Sequence, residues 1–241
     1  ADDGDLLLAG SSRQVIYRLD GDGTLAETLA ITPGERVPLS EPVDVARHGD
    51  CCVVIDTAGE GRVVLLPDRG APMTLSPGER AFRPTAVACE GDEIFVADAA
   101  TRRVLVFSSS GTLRRELGAE LSPALGIAGG LMVAGDAVWV SDTSAGRVIA
   151  LDRSTGRLTA VADKAMNLPR GITRDTWDRI YVADEFAQAI HVFDDAGKAL
   201  GTIEAKRDGL ASPRDVEWLD GRLWVVDSGN DRVVVYNVRR P

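Results

Sequence analysis

Five aspartates recur along this chain at a nearly constant spacing, and carboxylates are groups that can transfer protons or hold metal ions. They continue a series that starts at a glycine, with intervals of 46, 42, 44, 42 and 43 residues. The six positions are Gly10, Asp56, Asp98, Asp142, Asp184 and Asp227. A catalytic centre needs one set of groups rather than five equal copies, so the spacing predicts a structural repeat. We expect each aspartate to accept backbone N–H groups in a tight turn.

An arginine follows five of these six positions within a few residues. The five are Arg13, Arg62, Arg103, Arg147 and Arg232. An Asp–Arg ion pair across the turn would hold two consecutive segments together. The regular pairing therefore favours a structural role for the repeated carboxylates over metal binding or catalysis.

The segments around each aspartate are short apolar runs rich in valine and isoleucine, with glycine, proline and polar residues between them. Runs such as 93–98 and 103–107 are typical of β-strands. In four copies a proline, followed by another short run, precedes the aspartate by about 14 residues, and a looser run closes the repeat. Four strands in a repeat of roughly 40–50 residues are the pattern of a β-propeller blade.

The sequence therefore predicts an all-β fold, a six-bladed β-propeller with repeats of about 43 residues, as one domain over residues 1–241. The second strand of each blade is expected to end at one of the six positions given above. The first apolar run, from Leu6, is a second strand, and the last run before Pro241 is a third strand. The first blade is thus predicted to lack its innermost strand, and the last blade its outermost strand.

The composition is that of a globular protein and argues against two classes of partner. Hydrophobic residues make up 44% and charged residues 27%, and the formal net charge is −10. Such a charge repels phosphate backbones, so we expect no nucleic-acid partner. The longest stretch without a charge, 121–135, is interrupted by Pro123 and is shorter than the roughly 20 residues of a spanning helix. We therefore expect no membrane insertion.

Two repeats carry a recognisable motif. Residues 169–197 read Pro-x-Gly-Ile-x-x-Asp…Arg-Ile-Tyr-Val-Ala-Asp…Ile-x-Val-Phe-Asp-x-x-Gly, and residues 213–237 follow the same order. This pattern resembles the NHL repeat, and the resemblance extends over essentially the whole chain. It departs from the motif at Gly10, where the aspartate is missing, and around 121–133, where the proline is lost. The resemblance implies a six-bladed propeller, in agreement with the six copies.

The resemblance and the loops together predict a non-catalytic binding scaffold, because propeller function lies in the loops. The loops after the repeated aspartates differ between copies, and Phe186 is apolar where the others are small or polar. We predict that Phe186, Glu185 and Gln188 bind a protein, peptide or glycan ligand, without a cofactor. NHL-type propellers in bacteria imply an extracytoplasmic domain, so a periplasmic or secreted location is favoured.

A metal-dependent hydrolase of the gluconolactonase-like propeller type is the alternative that the resemblance implies. Its ligands would be Asp44, Asp215 and Glu217, which belong to the predicted innermost strands and are not part of the repeated turn. Carboxylates near the channel could hold calcium or another divalent cation. The competing interpretation is that they are solvated carboxylates at the channel mouth.

The histidines and cysteines are too few for a zinc site or a disulfide scaffold. His191 takes a third-strand slot that is apolar in other repeats, so we expect it to be packed between blades. Cys89 is predicted to lie near Cys51 and Cys52 across two blades. A disulfide in an oxidising compartment and three separate thiols are both compatible with the sequence.

Overall fold

The computed structural model describes residues 4–29, 39–162, 164–204 and 209–240, and in them the regular secondary structure is almost entirely β-strand. These residues form six consecutive antiparallel sheets, and the chain divides into two compact units, Ala1–Leu117 and Gly118–Pro241. The predicted six-bladed β-propeller is confirmed. The first and last sheets have three strands each, and the other four sheets have four. No helix in the described residues is long and apolar enough to cross a membrane.

The first unit contains three sheets. The first consists of β1 (Leu6–Gly10), β2 (Val15–Leu19) and β3 (Leu25–Leu29). The second consists of β4 (Pro42–His48), β5 (Cys51–Asp56), β6 (Arg62–Pro67) and β7 (Met73–Leu75). The third consists of β8 (Pro84–Glu90), β9 (Glu93–Asp98), β10 (Arg103–Ser108) and β11 (Leu113–Leu117).

The second unit contains the other three sheets. The fourth consists of β12 (Ala128–Ala134), β13 (Ala137–Asp142), β14 (Arg147–Asp152) and β15 (Leu158–Val161). The fifth consists of β16 (Pro169–Arg174), β17 (Ile180–Asp184), β18 (Ala189–Phe193) and β19 (Ala199–Glu204). The sixth consists of β20 (Pro213–Leu219), β21 (Arg222–Asp227) and β22 (Arg232–Asn237). Single 3₁₀ turns follow β1, β13 and β21, at Ser11–Arg13, Thr143–Ala145 and Ser228–Asn230.

Central strands are apolar along their length because both faces of a blade are buried. Successive side chains of a strand point to opposite faces. Val53 and Ile55 of β5 pack in a cluster with the third sheet, whereas Cys52 and Val54 pack in a cluster with the first. In the second unit, one cluster joins the fourth and fifth sheets and another joins the fifth and sixth. Continuous runs of valine and isoleucine are the sequence pattern of such doubly covered strands.

The repeated aspartates end the second strands, are almost fully buried, and tie each sheet to the segment that leads into its first strand. Asp56 accepts the backbone N–H of Ser40 and Glu41, and Asp142 accepts that of Gly126. The predicted bonds to the N–H groups of the following turn form at Asp56, Asp98 and Asp184, whereas the side chains of Asp142 and Asp227 make no cap hydrogen bond there. The longer-range bonds, about 15 residues back along the chain, were not predicted.

The predicted ion pairs form at three of the turns: Asp56–Arg62 (2.7 Å), Asp142–Arg147 (3.0 Å) and Asp227–Arg232 (2.7 Å). The prediction was wrong for Arg103, which pairs instead with Glu116 on β11. In place of an arginine, the hydroxyl of Thr101 donates a hydrogen bond to the carboxylate of Asp98 at 2.6 Å. The short Thr101 side chain reaches the carboxylate from within the turn, and the guanidinium of Arg103 pairs with the outer strand β11 instead.

Candidate functional site

Phe186 is the most exposed large apolar side chain among the described residues, with 70% of its surface accessible. It lies in the four-residue connection Glu185–Gln188 between β17 and β18, called here the Phe186 loop. Backbone hydrogen bonds of the residues on either side of Phe186 hold the loop in place. The N–H of Glu185 donates to the carbonyl of Leu168 at 3.1 Å, and that of Ala187 donates to Asp184 at 3.1 Å. The aromatic ring therefore projects from an ordered turn.

Gln188 ends this loop in the left-handed backbone region, with φ of 53°. The residue that ends the corresponding connection also has a positive φ in every other sheet. Those residues are Gln14, Gly61, Arg102, Gly146 and Asp231. The backbone of Gln188 therefore serves the turn that all six connections share, while its side chain is exposed to solvent.

Glu185 is buried although it lies beside the exposed phenylalanine. Its Oε2 accepts a hydrogen bond from Nε of Arg170 at 2.8 Å. Its Oε1 accepts from Nε and Nη2 of Arg214, at 3.2 and 3.1 Å. A carboxylate with charge-assisted bonds on both oxygens is held in one orientation. Glu185 is thus the anchor of a three-residue ion cluster.

The two arginines come from neighbouring first strands of the second unit. Arg170 follows the first proline of β16, and Arg214 follows that of β20. Pro169 pairs with Asp184, and Pro213 pairs with Asp227. Each arginine therefore lies at the end of its sheet where the second strand finishes. Arg170 and Arg214, called here the arginine pair, therefore lie next to the Phe186 loop.

A second exposed apolar residue lies close to the arginine pair. Ile127, with 47% of its surface accessible, comes two residues before Gly129. Gly129 approaches Arg170 so closely that a Cβ there would lie 3.2 Å from Cδ of Arg170. The N–H of Ile127 is fixed by the hydroxyl of Ser144 at 2.8 Å. Ile127 is thus an exposed apolar residue two positions from the segment that contacts Arg170.

The candidate metal ligands have different surroundings. Both carboxylate oxygens of Asp44 accept backbone N–H groups, from Val45 and from Val87 on the neighbouring β8, each at 2.8 Å. This arrangement gives Asp44 a role in joining two first strands. Asp215 and Glu217 lie two residues apart on β20, where strand alternation puts them on the same side. Among the described residues, no group of three or more His, Cys, Asp and Glu side chains is placed to hold a metal ion.

Asp215 differs from Asp44 in its bonding. Its Oδ1 accepts the N–H of Val216 at 2.9 Å, and this is its only hydrogen bond within the described residues. Desolvation by the protein around β20 raises its pKa to about 6, although the Val216 bond opposes the shift and the side chain itself remains exposed to solvent. Gly171 of β16 makes room for it, because a Cβ there would lie 1.8 Å from Oδ1 of Asp215.

His191 is buried, as predicted, and belongs to a polar network. Its Nε2 lies 3.3 Å from Oδ2 of Asp184, and its Nδ1 lies 3.1 Å from Nζ of Lys164. An ammonium group can only donate, so Nδ1 accepts and Nε2 carries the proton that faces Asp184. Burial alone would raise the pKa of Asp184, but His191 and three backbone N–H groups outweigh it and hold that pKa at about 2.

A groove of about 690 Å³ lies at the opposite end of the fifth sheet, before β17 and after β18. Trp177, Leu200, Asp194 and Asp195 are among its lining residues. The guanidinium of Arg179 lies 4.8 Å from the centroid of the Trp177 ring and covers one of its faces. The sequence analysis did not single out this groove, although its Trp177 turn is longer than the corresponding glycine turns of the other sheets.

The three cysteines are free thiols. Burial raises the pKa of each thiol, most strongly at Cys89. The structure thus agrees with the separate-thiol interpretation, and the cross-blade disulfide is not formed.

The sequence analysis missed the arginine pair. A signal was present, since only two of the proline-led strands have arginine directly after the proline. These two positions are 44 residues apart, close to the repeat period of about 43. Their common partner, Glu185, was predicted as a ligand-binding residue, whereas the structure shows that both of its oxygens are occupied by protein.

Comparison with known proteins identifies the fold but no family. No protein-family model matches the sequence, and no curated protein matches it by sequence. Solved structures match over nearly the whole chain. A virginiamycin B lyase from Staphylococcus aureus has 15% identity and a TM-score of 0.70, covering 100% of this chain and 83% of that one. A chain from a nidogen/laminin complex has 20% identity and a TM-score of 0.74, covering 96% and 88%.

The WD40 β-propeller domain of Doa1 is a third match, with 12% identity and a TM-score of 0.72, covering 97% of this chain and 75% of that one. Identities this low establish the β-propeller architecture alone. The matches include an enzyme and a member of a protein complex, so this architecture carries more than one kind of function.

Proposed function

We propose that this protein is a non-catalytic binding module that recognises a protein, peptide or glycan through the Phe186 loop. The observation that carries the proposal is the combination of a 70% exposed aromatic ring with a base fixed by the ion pairs of the buried Glu185 with two partly exposed arginines. Exposed aromatics on ordered supports bind at low entropic cost, because little freedom remains to be lost. The motif resemblance adds the setting of an NHL-type bacterial propeller outside the cytoplasm.

The test is a ligand search with a matched pair of variants. The full chain is panned against a phage-displayed random peptide library and probed on a glycan array. Binding of the recovered ligands is then measured for the wild type and for Phe186→Ala. We expect Phe186→Ala to weaken binding by about 30-fold, the effect of an interface hot spot.

The control is Leu158→Ala, which truncates an exposed apolar residue on β15 of the neighbouring sheet. Both variants should melt close to the wild type because both side chains are exposed. Ligands that bind all three proteins equally well would show that the Phe186 loop is not the recognition site.

A metal-dependent hydrolase is the second candidate. One observation supports it: Asp215 and Glu217 share one side of β20. The residues fit a cation only in part, because backbone N–H groups already occupy both oxygens of Asp44. The test is metal content by mass spectrometry, with calcium added, on the wild type and on Asp215→Ala. One ion per chain that is lost in the variant would favour this candidate.

A further inference from the structure

The base of the Phe186 loop carries more cationic donors than the protein uses. Glu185 accepts Nε of Arg170 and two nitrogens of Arg214. Within the described part of the chain, both terminal nitrogens of Arg170 and Nη1 of Arg214 donate to no protein atom. These nitrogens belong to guanidinium groups whose orientation Glu185 has already fixed. The site therefore holds oriented donors that are available to a ligand.

The charge at this site is opposite to that of the chain. Two guanidinium groups and one carboxylate give the cluster a net charge of +1, whereas the chain carries −10. Two guanidinium groups held by one carboxylate on an acidic protein favour a small anionic group, and the remaining charge disfavours polyanions. Long phosphate backbones are therefore poor ligands here, and a single carboxylate is a good one.

We propose that the arginine pair binds a carboxylate of the ligand while Phe186 packs against an adjacent apolar group, so that the ligand is an acidic peptide segment. This inference rests on the proposed function and specifies its ligand. Arginine forms paired hydrogen bonds with carboxylates in a plane, a geometry that lysine cannot supply. Ile127 and Phe186 provide the apolar contacts, and an acidic side chain near a leucine or phenylalanine offers both chemistries.

The experiment uses the peptides recovered by phage display against the full chain. Each is synthesised with a fluorescent label, together with a matched peptide in which each Asp or Glu is replaced by its amide. Affinities are measured for the wild type, Arg214→Gln, Arg214→Lys and Phe186→Ala. Arg157→Gln is the charge-matched control, since Arg157 is exposed on the turn before β15. The amide peptides test the inference on the unaltered protein, whatever a substitution does to folding.

We expect wild-type binding to fall by at least about tenfold when the peptide acid becomes an amide, and by a similar factor in Arg214→Gln. Combining the two changes should cost little more than either alone, because they remove the same contact. Arg214→Lys should be intermediate, and Arg157→Gln should bind as the wild type does.

The other outcomes separate the two proposals. Peptides that need Phe186 but bind equally well as amides and to Arg214→Gln would overturn the carboxylate inference and leave the binding module intact. Binding that depends neither on Phe186 nor on Arg214 would overturn both.

Discussion

The imidazole of His191 lies beside the carboxylate of Asp184, where an arginine side chain pairs with three of the other repeated aspartates. Its Nε2 lies 3.3 Å from Oδ2 of Asp184. Ala189 is the residue paired with Asp184 in the β17–β18 register. The equivalent residue is arginine in the second, third, fourth and sixth sheets, and Arg62, Arg147 and Arg232 pair with their aspartates. His191 is two residues further along β18, and therefore on the same side of the strand.

The replacement of arginine by His191 predicts that removing the histidine lowers stability and that restoring the arginine recovers part of it. His191→Val should lower the free energy of unfolding by about 2 kcal/mol, because a buried carboxylate loses a hydrogen-bond partner. Adding Ala189→Arg should recover part of that loss by restoring the Asp–Arg arrangement of the other sheets. Urea denaturation of the single and double variants measures both effects. No recovery in the double variant would mean that the fifth sheet has no room for the arginine.

Acid should weaken the fold through Asp184. Its pKa in the folded protein is about 2, below that of an unfolded aspartate near about 3.9. The ionised carboxylate therefore contributes stability above pH ~4, and this is lost as the pH falls toward ~2. The contribution is about 2 kcal/mol at neutral pH. We expect the stability difference between wild type and Asp184→Asn to shrink over this window in urea unfolding, and a constant difference would contradict it.

Asp98 should be the clearest test of the turn role without an ion pair. Its carboxylate accepts the N–H groups of Arg83, Ala100 and Thr101 and the hydroxyl of Thr101. Asp98→Ala leaves these donors unsatisfied and should cost about 2–3 kcal/mol. Thr101→Val removes only the hydroxyl bond and should cost about 1 kcal/mol. Thermal melting ranks the two variants, and a loss of ligand binding without a change in melting would point to a functional role instead.

Asp215 should destabilise the protein when it is ionised. Its folded pKa of about 6 is higher than that of an unfolded aspartate, so folding favours the protonated form. The sign is therefore opposite to that of Asp184: stability is lost as the pH rises from about 4 to about 6. Asp215→Asn keeps the shape and the Val216 bond, and should raise the melting temperature only slightly at pH 8 and not at pH 4, because solvent screens the charge of this exposed side chain. If Asp215→Asn instead melts at a lower temperature than the wild type at pH 8 with calcium present, the metal alternative would be supported.

The shared left-handed turn position should tolerate side chains unequally. Gly146 has φ of 61°, and a Cβ there would lie 2.5 Å from the carbonyl oxygen of Met166. Gly146→Ala should therefore cost about 2 kcal/mol or more. Gln188 already has a side chain at the same turn position, so Gln188→Ala should change stability by less than about 0.5 kcal/mol. Equal effects in urea denaturation would mean that the two turns have the same space around them.

Much of the fold was predictable because its signals are local. The runs that end at Asp98, Asp142 and Asp227 repeat at a fixed spacing, and strand length, turn residues and burial on both faces each leave a pattern within a few residues. The turn role of the aspartates followed in the same way. The failure at Arg103 shows the limit, since the choice between Asp98 and Glu116 depends on which carboxylate a long side chain can reach.

Only part of the candidate site could be predicted from the sequence. Phe186 could be found because it breaks the pattern of its own loop. The meeting of Arg170 with Arg214 at Glu185 could not, because it requires two first strands to lie side by side, and their separation along the chain says nothing about side-chain direction. The sequence by itself determined the repeat, the strands and the exposed ring. Only the tertiary structure decided which charges share a carboxylate, because ion pairing depends on distances between strands that periodicity does not specify.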